Sequence, residues 1–115
     1  MGTIQPGSDQ GSGYRRPNPG EFRGWVARMR RTFHVSKRVV ATLGESDPGT
    51  VGQCWDDGDA YAIVVDAKLD FIHAMDTLIH EWAHLMCCDH DPESFDLHDD
   101  AYWIRFGAIY RKILE

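Results

Sequence analysis

No stretch of this chain approaches the roughly 20 consecutive apolar residues of a membrane span. The N-terminus lacks the apolar segment of a secretory signal. Cysteine is scarce and odd in number: Cys54, Cys87 and Cys88. Two of these are adjacent and poorly placed to bridge each other, which argues against a disulfide-stapled secreted fold. A cytoplasmic protein is the expectation. Internal repeats are missing, so a repeat architecture is excluded. Glycine and proline are absent from residues 59–91, so nothing there breaks a regular element.

What is present suffices for one domain. A length of 115 residues fits a single core, and 43% apolar content can fill a modest one. Residues 1–19 are rich in Gly, Ser, Pro and Gln and have little to bury. They are expected to form a disordered tail, with the folded domain over 20–115.

The net charge of −6 conceals a polarity. Residues 1–38 carry eight Lys or Arg against two acids, a balance of +6; residues 39–115 carry four against sixteen, a balance of −12. Arg23, Arg28, Arg30, Arg31, Lys37 and Arg38 are therefore candidates for a weak nucleic-acid contact. The plainer account is a solvated basic face that complements the acidic body. The lack of interleaved aromatics favours it.

Hydrophobic spacing divides the domain. Phe22, Trp25, Val26, Met29 and Phe33 recur at helical spacing and predict a first helix near 20–34. Residues 38–43 read as a strand, 44–49 as a turn and 51–55 as a second strand. Asp56-Asp57-Gly58-Asp59 resembles a fragment of a calcium loop but lacks the later ligands, so a hairpin turn is expected. Residues 61–66 form the clearest strand, rich in β-branched side chains. A helix is expected over about 71–88 with Asp70 as its N-cap, then an acidic loop over 89–97. A last helix should run from His98 or Asp99 to about Leu114. The layout is α+β: an N-terminal helix, a small, mainly antiparallel three-stranded sheet, and two further helices.

His80-Glu81-Trp82-Ala83-His84, inside the predicted 71–88 helix, reads H-E-x-x-H. Residues four apart share a helix face, so both imidazoles can grip one zinc ion. Glu81 then stands beside the metal, placed to act as a base on a metal-bound water. A core helix with two partly buried histidines is the bland alternative. Packing alone has little use for His, Glu and His together on one side.

A catalytic zinc takes three protein ligands and keeps one position open. His90 follows His80 by ten residues, the metzincin spacing. Cys87, however, stands where that pattern needs a glycine for a sharp turn, and no Met follows residue 90. His98, at the start of the last helix, can approach from across the site without such a turn. It is the favoured third ligand, and His90 is the alternative. Cys88, Glu93 and Asp99 are weaker candidates. Tyr102, one turn after His98, is a candidate oxyanion stabiliser, with helix packing as its plainer role. Tyr61, Ile63 and Val65 lie on the strand expected to offer an edge to an extended substrate. Asp76, one turn before His80, is either a partner of the ligand set or a charge near the helix start.

Ile63-Val64-Val65-Asp66, the run from Asp76 to His84, and His98 with Trp103 and Ala108-Ile109-Tyr110-Arg111 resemble the small SprT-like metallopeptidases of bacteriophages and prophages. The likeness spans about residues 38–114. It implies a minimal zincin-like fold, one zinc ion held by His80, His84 and His98, and Glu81 as general base. The implied function is zinc-dependent hydrolysis of protein or peptide substrates, in the host cytoplasm for a phage-encoded chain. Larger SprT-like and Spartan-like relatives are linked to proteolysis of DNA-protein crosslinks, which is analogy here. A separate zinc-ribbon or DNA-binding module like theirs is not expected within these 115 residues.

In the enzyme reading, zinc acidifies a bound water, and Glu81 takes its proton as the oxygen attacks a peptide carbonyl. Glu81 then passes the proton to the leaving amine. The alternative from another class is a phage regulatory or interaction protein. Such a protein would use zinc to hold its fold and would act through the basic N-terminal helix. Glu81 separates the two, because a structural site needs no base beside a ligand and usually takes four protein ligands.

Overall fold

The computed structural model describes residues 15–95 and 97–113. Most of the expected tail, residues 1–14, lies outside the described residues. Residues 15–18 are fastened to the domain, ahead of the boundary expected at 20. Arg15 pairs with both carboxylate oxygens of Glu21 at 2.7 Å. Its carbonyl accepts from the Phe71 N–H at 2.6 Å.

Helix α1 spans Pro19–Thr32. Asn18 caps it by accepting from the Glu21 N–H at 2.7 Å. Pro19 stands in the first turn, where its missing N–H costs nothing. Phe22, Val26 and Met29 form the buried stripe. Three strands follow: β1 Arg38–Gly44, β2 Gly52–Asp56 and β3 Ala60–Asp66. The acidic turn between β2 and β3 closes a hairpin, as expected. The Asp57 N–H donates to the Ala60 carbonyl at 2.8 Å. Gly58 has a φ of 92°, a left-handed backbone that glycine enters freely.

The α+β layout holds, but two expectations about the sheet are corrected. The strand order is β1-β3-β2. β3 pairs with β1 in parallel, from Arg38↔Ala60 to Gly44↔Asp66, and with β2 antiparallel, from Gly52↔Val65 to Asp56↔Tyr61. The sheet is mixed rather than mainly antiparallel. The strand carrying Tyr61, Ile63 and Val65 is central, so it is not the edge strand expected for substrate. Those three side chains are core, each 2% exposed or less. The cause is composition. β3 is the most apolar strand, and the central slot covers its backbone on both sides. The free edges belong to β1 and β2.

Helix α2 spans Phe71–His90. Asp70 caps it as expected, accepting from the His73 N–H at 2.9 Å. The helix runs on past residue 88, where its end was expected. A short 3-10 turn, Pro92–Ser94, leads towards helix α3, Asp100–Ile113. α2 lies between the sheet and α3, so it is buried most of the way round, with Leu78, Trp82 and Leu85 fully enclosed. The Trp82 indole donates to the Phe33 carbonyl at 3.0 Å and so joins α2 to the end of α1. The Tyr110 hydroxyl donates to Asp76 and joins α3 to α2. Burial and that bond push the Tyr110 phenol up to about 12. Asp76 thus serves as an acceptor between helices. No helix among the described residues is long and apolar enough to cross a membrane.

Candidate metal centre

Three imidazoles meet where α2 faces the start of α3. His80 and His84 lie one turn apart on α2, and His98 arrives from the residues just before α3. The Nε2 atoms of His84 and His98 are 3.0 Å apart, and those of His98 and His80 are 3.3 Å apart. One ligand atom from each residue lies within 4.8 Å of the others. An ion with tetrahedral nitrogen ligands at 2.0–2.1 Å needs those nitrogens about 3.3 Å apart. The three histidines could therefore hold a single metal ion.

Local bonds deliver His98. The Asp99 carboxylate accepts from the Tyr102 N–H at 3.0 Å and caps α3. The Trp103 indole donates to the His98 carbonyl at 3.1 Å. These bonds hold the backbone on the C-terminal side of the imidazole. Burial, and then the charge of His98, keep the His80 pKa below its ordinary value. A neutral imidazole is the form that binds metal.

Glu81 is 8% exposed. Burial raises its pKa, opposed by a hydrogen bond from the Cys54 thiol and by the charge of His98. The carboxylate faces β2. A Cβ on Gly52 would sit 3.4 Å from Glu81 Oε2, 3.3 Å from the Val64 carbonyl and only 2.3 Å from Thr77 Cγ2. Gly52 is therefore what lets β2 lie close over the base. Gly52→Ala should lower stability by about 1–3 kcal/mol, because the β-branched Thr77 cannot swing clear without strain. The urea midpoint reports this directly. An unchanged midpoint would mean that β2 does not press on α2 at that point.

The other predicted residues fall into place around the triad. Tyr102, a candidate oxyanion donor with helix packing as its plainer role, is fully buried. Its hydroxyl donates to the His80 carbonyl at 3.1 Å, and its ring lies 4.5 Å from that of His84 and 4.8 Å from that of His98. Its hydroxyl is engaged in tying α3 to the ligand helix. His90 stands apart from the triad. α2 continues unbroken through Cys87, so His90 is carried about 9 Å along the axis from His84 and lies exposed. Cys88, Glu93 and Asp99 are likewise outside the ligand group.

The basic residues divide. Arg23, Arg30 and Arg38 line a groove between α1 and β1. Lys37 is paired with Asp56 at 2.7 Å, and Arg28 reaches the Ile113 carbonyl and stacks on Trp25. Arg30 also donates to the Val39 carbonyl at 2.7 Å, so Arg28, Arg30 and Lys37 are each engaged within the molecule, Lys37 alone of these with an acid.

Sequence reasoning did not find Gly52 or Cys54 as neighbours of Glu81. A glycine inside a strand is a recognisable sign of close backbone approach, so Gly52 carried a signal. Cys54 carried none.

An α+β domain with a three-histidine candidate metal centre is thus defined by its own geometry. Comparisons with family models, with curated proteins and with solved structures find no match.

Proposed function

We propose that this chain is a zinc-dependent metallopeptidase of SprT-like, zincin-like design. One juxtaposition carries the reading: three imidazole nitrogens face a common point, and the buried carboxylate of Glu81 adjoins one ligand in sequence. The imidazole donor set suits zinc among the common divalent ions. Zinc held there would polarise a peptide carbonyl and acidify a water. Glu81 accepts a proton from the attacking water and delivers it to the nitrogen of the leaving amine, so it begins and ends the cycle as a carboxylate. Tyr102 keeps α2 and α3 in register through the His80 carbonyl. The free edge of β2, which lies over Glu81 at Gly52, receives the extended substrate by strand addition.

Metal removal tests the reading. Dialysis against a chelator should abolish cleavage of a reduced, unfolded protein, and one equivalent of zinc should restore it. Cleavage that persists in the metal-free protein would rule the proposal out.

A further inference from the structure

Exposed apolar side chains lie close to His98 in sequence. Leu97, Trp103 and Ile104 are 50%, 50% and 70% exposed, and all three flank the third histidine in sequence. The Trp103 ring is also held in place. Its Nε1 donates to the His98 carbonyl at 3.1 Å. Its edge-to-face contacts run to Tyr102 at 4.9 Å and to Phe106 at 5.5 Å. Its centroid lies 6.0 Å from the His98 ring. A fixed aromatic plate therefore borders the His98 ring.

We propose that Trp103, with Ile104 beside it, is the specificity determinant of this site and selects an extended polypeptide bearing a large apolar side chain next to the bond to be cut. The inference rests on the peptidase reading above. The plate is continuous with the ligand set, because its indole is bonded to the backbone of a ligand. Little side-chain freedom is lost when a substrate covers a ring already fixed in place. Folded proteins keep most large apolar side chains inside. A site that demands one therefore favours unfolded or locally opened polypeptide over native surfaces.

The test is a proteome-derived peptide library digested by the zinc-loaded protein, by Glu81→Gln, by Trp103→Ala and by Ile104→Ser, with cut sites read by mass spectrometry. Zinc content and sedimentation are measured for each. Cuts that depend on Glu81 should be enriched in Phe, Leu, Met or Tyr on one side of the bond. Each plate variant, at unchanged zinc content, should lower kcat/KM for such peptides about tenfold relative to their Ala counterparts, mainly through KM. Should Trp103→Ala lose zinc, Ile104→Ser decides. Glu81-dependent cuts with no apolar preference, or with a preference that survives in the plate variants, overturn this inference alone. So does a dimer of the wild type that the plate variants abolish, because the surface then belongs to a second copy of the chain. Absence of any Glu81-dependent cut overturns the peptidase reading as well.

Discussion

Glu81→Gln is expected to keep one zinc ion per chain and to lose about 10²–10⁴-fold in the rate of peptide cleavage. Glutamine matches glutamate in size, so the tight space against Gly52 and Thr77 stays filled. The Glu81 carboxylate is not among the atoms that form the ligand group, so the imidazoles keep their geometry. What the amide cannot do is take up a proton from water and return it to an amine. Burying a neutral amide costs less than burying a carboxylate, so the variant should be at least as stable as the parent. Turnover of an unfolded protein and bound zinc, measured on the same preparation, give the answer. Cleavage within a few-fold of the parent would remove Glu81 from the mechanism.

His98→Ala should weaken zinc binding by more than about 100-fold, whereas His90→Ala should bind as the parent does. Changes to groups that merely orient a ligand already cost 10–100-fold in affinity, and loss of a ligand removes more. His98 contributes a nitrogen 3.0 Å and 3.3 Å from those of its two partners. His90 sits at the exposed end of α2 and faces none of them. Equilibrium dialysis against buffered zinc distinguishes the two variants. The reverse pattern would return the third position to His90 and discard the convergence seen here.

Several features of this protein were readable from local chemistry. Helical periodicity, the Asp70 cap and the acidic hairpin turn depend on neighbours in sequence, and the structure bears them out. The motif spacing put His80 and His84 on one face because helix geometry requires it. His98 was preferred over His90 from the argument about Cys87 and from the family resemblance, and α2 does run unbroken through Cys87. The strand order was not legible. Period-two patterning tells which face of a strand is buried, but not which neighbour sits at each edge. A hairpin between β2 and β3 is compatible with either position, and the apolar content of β3 places it in the middle. For Tyr102 the packing role was the plainer of the two readings, and the burial of the side chain agrees with it. Its spacing from His98 is compatible with a hydroxyl turned towards substrate or towards the next helix, and only packing chooses.

The three imidazoles do not come from one element. Two ride on α2, and the third precedes α3, fourteen residues beyond His84. An ion shared between them would act as a removable cross-link in the chain. By the chain-entropy relation used for disulfides, closing a loop of that length is worth about 3 kcal/mol. Docking of α3 and metal occupancy would then be two readings of one equilibrium, each raised by whatever raises the other. A metal-loaded centre of this kind would register the metal supply through its fold as well as through its chemistry.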